Sequence, residues 1–118
     1  ELAERFSDVI CAPYAELEDH ITLTPYDSVV VMTPGHMADF EVLHRILCHP
    51  LSYIGCIGSR NKAAKTRDLL RQEGFSEEAI ASVHLPIGLP ILAQTPAEIA
   101  ISIAGEMIRC RAEAAQKR

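Results

Sequence analysis

Several things are missing from this 118-residue chain, and each absence removes a class of protein. No run of 18 or more apolar residues occurs, which excludes a membrane-spanning helix. No basic segment leads into an apolar stretch, so no secretory signal peptide is visible, and the first residue is Glu1, which leaves room for an upstream part. Basic residues are outnumbered 11 to 16 by acidic ones, giving a net charge of −5 and a pI near 5.5. That balance argues against a partner held by phosphate attraction, so no nucleic acid is expected. Four cysteines are present, Cys11, Cys48, Cys56 and Cys110, but no C-x-x-C pair, which removes zinc knuckles and thioredoxin-type redox motifs. Three of them stand among apolar neighbours, where a free thiol acts as a small hydrophobe, and a core role rather than metal or redox work is expected for each of the four. A reducing, cytoplasmic setting is the expectation.

What remains is one domain's length of ordinary globular composition, 48% apolar and 23% charged. Short apolar runs alternate with helical patterns. Asp27 to Met32 holds three successive valines, apolar on both faces, which fits a strand covered on two sides, as in a parallel sheet. Leu51 to Ile57 is a second strand, and Asp8 to Ala12 a weaker candidate. Helices are predicted over Ala38–Cys48, Arg60–Glu73 and Glu77–Ser82, with Ala15–Ile21 a short amphipathic stretch. Gly74 stands at the usual C′ position and Ser76 at an N-cap.

The last helix has the clearest start. Thr95, Pro96 and Glu98 supply an N-cap hydroxyl, a proline at N1 and an acid at N3, a capping box. Behind it Ile99, Ala100, Ile103, Ala104, Met107 and Ile108 predict an apolar stripe, with Glu98, Ser102, Glu106 and Arg109 facing elsewhere. Residues 1–111 read as the domain and 112–118 as a polar tail that frays.

Strands alternating with helices imply parallel βαβ units, so the fold class is α/β, a Rossmann-like parallel sheet with helices on both faces. The sheet reads as incomplete. No three glycines fit G-x-G-x-x-G, and two secure strands make a poor independent sheet with an open edge. Either a second copy of the chain covers that edge, as a homodimer, or the chain is part of a longer protein. The second reading is preferred.

Ligands of open parallel sheets gather beyond the carboxyl ends of the strands. Two such ends carry polar residues here. The first has Thr33, Pro34, Gly35 and His36. The second has Gly58, Ser59, Arg60, Asn61 and Lys62 at a helix start, where free N–H groups and a fixed cation suit a phosphate or carboxylate. The competing reading is a capped turn with solvated cations, and for His36 a hydrogen bond to a neighbouring loop. His84, just before Pro86-Ile-Gly88, also stands out. No metal-ligand spacing is present. Ser59 lacks a G-x-S-x-G elbow, because Ile57 and Asn61 flank it, so hydrolase chemistry is weakly supported.

Three stretches together carry a resemblance. They are Val29-Val-Val-Met-Thr-Pro-Gly-His36 with Asp39, then Tyr53-Ile-Gly-Cys-Ile-Gly-Ser-Arg60 with Lys62, then His84-Leu-Pro-Ile-Gly-Leu89 followed by Thr95-Pro-Ala-Glu-Ile-Ala-Ile-Ser102. In order, spacing and residue type they resemble the C-terminal Rossmann domain of the xanthine dehydrogenase accessory (XdhC/CoxI) family, from about Glu1 to Arg111. Glu1 to Phe6 resembles the segment just after that domain's second strand, so the Gly-rich first portion is lacking. The resemblance implies a maturation factor, an accessory protein rather than an enzyme. Such a chaperone binds molybdenum cofactor (molybdopterin), assists its sulfuration and delivers it to an apo molybdenum hydroxylase of the xanthine dehydrogenase type. A cysteine desulfurase is a second implied partner. Thr33, Gly35, His36, Gly58, Ser59 and Arg60 are the cofactor-binding residues expected on this basis. One departure stands out: where the family has an acidic residue followed by Ile-Gly, this chain has Pro90, Ile91 and Leu92. The alternative function is an NAD(P)-dependent oxidoreductase, since the fold class is shared with dinucleotide enzymes.

Overall fold

A computed structural model describes residues 8–116. The expectation for Glu1–Phe6 lies outside the described residues. A turn of 3-10 helix at Tyr14–Glu16 leads into α1 (Leu17–His20), β1 (Ser28–Val31), α2 (His36–Ile46) and β2 (Tyr53–Cys56). Then follow α3 (Arg60–Gln72), α4 (Glu77–Ala81), β3 (Val83–His84) and α5 (Pro96–Gln116). The three strands are parallel in the order β1-β2-β3, with Val31 opposite Cys56 and Ile54 opposite Val83.

Alternation along β2 divides the molecule. Ile54 and Cys56 point into a core built with Val31, Val42, Leu43, Ile46, Leu70, Ile80 and Val83. Tyr53 and Gly55 point to the other face, where Tyr53 meets Glu106 of α5 and Gly55 faces Ile87. Helices therefore cover both faces, as expected for a Rossmann-like sheet. Leu43, Leu70 and Ile46 are at most 1% exposed, and each such side chain contributes roughly 1.5–3 kcal/mol of burial.

The local signals act as the sequence implied. Ser59 Oγ accepts from the Lys62 N–H, and Ser76 Oγ from the Ala79 N–H. Gly74, at φ +91°, closes α3 with a Schellman pair in which the Gly74 and Phe75 N–H groups donate to the Arg71 and Leu70 carbonyls. At α5 the Glu98 N–H donates to Thr95 Oγ1 at 3.1 Å, and Glu98 Oε1 accepts from the N–H groups of Gln94 and Thr95. Those two donors hold the Glu98 carboxyl below its usual range.

Four expectations are corrected. Asp8–Ala12 forms no strand: nearly all of it is exposed, so it gains nothing by pairing. A third strand exists at Val83–His84, too short to announce itself by pattern. The helix α5 continues through Gln116, past the point where the sequence turns polar. Its buried residues are Ser102, Ile103 and Glu106, whereas Ile108 is 55% exposed. Glu106 takes the inner face because the opposing surface offers it two donors, the Tyr53 hydroxyl and the Gly88 N–H, whereas the Ser102 hydroxyl donates to the Ile99 carbonyl of its own helix. Among the described residues no helix is long and apolar enough to cross a membrane.

Candidate functional site

Pairing of β1 with β2 brings the two sequence-predicted segments to the same end of adjacent strands. The Ile57 N–H donates to the Val31 carbonyl at 3.0 Å, so the chain leaves both strands side by side. Thr33 follows β1 and is held by Asp39 from the first turn of α2. Its N–H donates to Asp39 Oδ1 at 3.0 Å, and its hydroxyl lies 2.6 Å from the same oxygen and 2.8 Å from the Gly35 carbonyl. Asp39 is buried, at 6% exposure. Gly35 is the N-cap of α2 and His36 its first residue, both partly exposed. An acid in the first turn suits the helix dipole, and here it also clamps the preceding loop.

On the neighbouring strand, Gly58 has φ +154° and opens the turn before α3. A Cβ there would meet only Lys62 Cβ at 3.8 Å, so its backbone is approachable. Ser59 caps the helix through Lys62, and its carbonyl accepts from the Ala63 N–H. The N–H groups of Arg60 and Asn61 then have no helical acceptor. Arg60 and Lys62 are exposed. This edge offers two backbone donors, a hydroxyl and two cations on an approachable turn, which fits the phosphate end of an anionic cofactor. It is open to solvent. Cavities of about 330 and 400 Å³ lie instead at the amino ends of the strands, lined by residues that include Ser52 and Tyr53.

Beneath the edge, Cys56 is buried beside Asp39. Burial, then the Asp39 carboxylate, push its thiol up to about 12. It is a core residue, as expected for a cysteine in an apolar run. Cys11 and Cys48 are exposed, contrary to a core role for each cysteine, because neither lies on a packed face.

A second polar cluster has almost no signature in the sequence. Glu106, 5% exposed, accepts at Oε1 from the Tyr53 hydroxyl at 2.6 Å and from the Gly88 N–H at 2.9 Å. His84 Nδ1 lies 3.5 Å from Glu106 Oε2, and Cys110 Sγ lies 3.3 Å from His84 Nε2. Burial, and then Glu106, raise the Tyr53 hydroxyl far above its usual value, so it remains a donor. Only His84 carries a signal in the sequence, its position before Pro86-Ile-Gly88.

Comparison with known proteins follows the same residues. A family model described as the XdhC Rossmann domain matches residues 2–107. The chain is 34% identical over 91 residues to the protein YqeB of Escherichia coli (strain K12), itself uncharacterized, covering 77% of this chain and 16% of that protein. It is 33% identical over 87 residues to a probable xanthine dehydrogenase subunit of Bacillus subtilis (strain 168), covering 74% and 24%. A crystal structure described as a xanthine dehydrogenase from Bacillus halodurans superposes with a TM-score of 0.72 at 35% identity, over 88% of this chain and 29% of that one. The chain thus spans less than a third of the length of each of these relatives.

Proposed function

The chain belongs to the XdhC Rossmann-domain family, and on that basis we propose that it serves as the Rossmann part of an accessory factor for xanthine dehydrogenase-type molybdenum hydroxylases. In this reading it binds molybdenum cofactor, assists its sulfuration with a cysteine desulfurase, and passes it to the apo hydroxylase. One observation carries the binding step: the Thr33–His36 loop and the Gly58–Arg60 turn lie at the carboxyl ends of two paired parallel strands, where a Rossmann sheet takes its ligand. The Arg60 and Asn61 N–H groups, the Ser59 hydroxyl and the Arg60 guanidinium would hold the cofactor's phosphate. Thr33, Gly35 and His36 would border the rest. When bound, the group supplies molybdenum redox chemistry to the hydroxylase that receives it. The chain's own task is to hold an anion at a helix start and release it.

The relatives support the setting. Two of them are named for xanthine dehydrogenase. The fold class is equally at home in an NAD(P)-dependent oxidoreductase, which stands as the alternative reading.

Calorimetric titration with molybdenum cofactor, and separately with NAD(P)H, decides between these. The expected result is heat of binding from the pterin, competed by inorganic phosphate. Tight NAD(P)H binding with no response to the pterin overturns the proposal and promotes the oxidoreductase.

A further inference from the structure

The cluster around Glu106 is not used by the function proposed above, and its geometry points to chemistry of its own. Both hydrogen bonds to Glu106 Oε1 come from Tyr53 and Gly88, which leaves Oε2 for His84 Nδ1. The Tyr53 and His84 rings stack with centroids 4.8 Å apart and planes 12° from parallel, so the imidazole plane is fixed as well. A carboxylate facing Nδ1 favours the tautomer protonated there. The Nε2 lone pair is then free toward Cys110 Sγ, 3.3 Å away. Nucleophile, base and orienting acid thus stand in sequence, each within reach of the next. His84 and Cys110 are both partly exposed, so a small reagent can reach them.

We propose that Cys110, His84 and Glu106 form a nucleophilic thiol site that acts on sulfur–sulfur bonds of small disulfides or persulfides. The charged and titratable groups facing the thiol are Glu106, Glu113 and Arg109 on α5, His84 on β3 and Tyr53 on β2. Burial, then Glu106 and Glu113, push the Cys110 thiol up while Arg109 opposes them. The resting group is therefore the protonated thiol, and His84 is needed as its base. In the reaction His84 Nε2 takes the proton as Sγ attacks one sulfur of the substrate. A bond forms between Sγ and that sulfur, and the substrate's own sulfur–sulfur bond breaks. The electron pair leaves on the departing thiolate, which recovers the proton from His84. A disulfide R–S–S–R gives Cys110–S–S–R and R–SH, and a persulfide R–S–SH gives Cys110–S–SH and R–SH. The sulfur substrate is the only oxidant required. The other three thiols lack this arrangement: Cys56 is buried beside Asp39, and Cys11 and Cys48 are exposed with no hydrogen bond to a histidine among the described residues.

The test uses the chain with Cys11→Ser and Cys48→Ser, mixed with oxidised glutathione in one arm and glutathione persulfide in the other. Mass spectrometry of the peptide holding Cys110 gives the rates. Gain of one glutathione marks a disulfide substrate, and gain of one sulfur atom a persulfide substrate. The expected rate in the faster arm exceeds that of the urea-unfolded chain at the same pH. His84→Ala slows it by about tenfold or more. The proposal is overturned if neither reagent modifies folded Cys110 faster than unfolded Cys110. It is equally overturned if His84→Ala, with a native circular dichroism spectrum, reacts as fast as the parent. Should His84→Ala not fold, His84→Asn, which can keep a donor toward Glu106 but has no base facing Cys110, takes its place, and a folded His84→Asn that reacts as fast as the parent overturns the proposal.

Discussion

The Tyr53 hydroxyl donates to Glu106 Oε1 across 2.6 Å, joining residues 53 positions apart in the chain. This bond ties the central strand to α5 and keeps a buried carboxylate solvated by protein. Tyr53→Phe leaves that oxygen with the Gly88 N–H alone. The expected cost is about 1–3 kcal/mol, the range for a buried polar group losing a charge-assisted partner. A lowered urea midpoint with an unchanged slope checks it, and an unshifted midpoint shows that the bond contributes nothing.

Alkaline pH probes the other face of the same strand. The Cys56 thiol ionises at about 12 in the folded chain, against 9.0 for an ordinary cysteine. A raised folded value means the native state holds its proton longer than the unfolded chain. The associated stability is therefore whole below pH 9 and is lost as pH rises toward 12. Tyr53, also raised, extends the loss above pH 10. Thermal unfolding scanned from pH 8 upward is expected to show the decline, and Cys56→Ala to flatten its first part.

These two residues also mark what pattern can and cannot reveal. The valine run of β1, the helix start at Ser59 and the capping box at Thr95 are local signals, so the sequence alone makes them legible. The paired strand ends that assemble Thr33, Gly35, His36, Gly58, Ser59 and Arg60 follow from the βαβ order alone. Glu106 is not legible in this way. By helical period it falls at the margin of the apolar stripe, where an acid reads as facing solvent, and its donors come from Tyr53 and Gly88, which no spacing rule connects to it. The strand at Val83–His84 is hidden for a related reason: two residues carry no alternation, and only pairing with Ile54 and Gly55 makes them a strand.

Leu92 is a local conflict that can be relieved. Its φ is +61°, a left-handed conformation that costs a branched side chain about 1–2 kcal/mol, and its side chain is 89% exposed. Leu92→Gly removes the strain and forfeits almost no burial, offset in part by the greater freedom of glycine in the unfolded chain. A net gain of about 0.5–1 kcal/mol is expected in denaturant unfolding. A loss of stability shows that the loop does not hold this conformation.

Asp39 is expected to matter twice. Asp39→Ala strips the Thr33 N–H and hydroxyl of their shared acceptor, a cost of about 1–3 kcal/mol. It also frees the loop that leads to His36, so ligand affinity falls even under conditions where the chain is fully folded. Asp39→Asn keeps an acceptor in place and recovers most of both losses. Affinity that tracks stability alone across the two variants removes the loop from the site.

Arg60 gives the sharpest separation of binding from folding. Its side chain is exposed at the first position of α3, so Arg60→Ala leaves the unfolding midpoint essentially unmoved. If it holds a cofactor phosphate, its loss removes one charge-assisted hydrogen bond and weakens binding by about 1.5–3 kcal/mol. Arg60→Lys keeps the charge but not the planar fork, so it restores only part of the affinity. Higher salt weakens the parent more than Arg60→Ala, because part of the parent's affinity is Coulombic and screened. Titration of the three forms at two ionic strengths measures all of this. Equal affinity in parent and Arg60→Ala takes the phosphate away from the α3 start and leaves the β1 side, around Thr33 and His36, as the remaining seat.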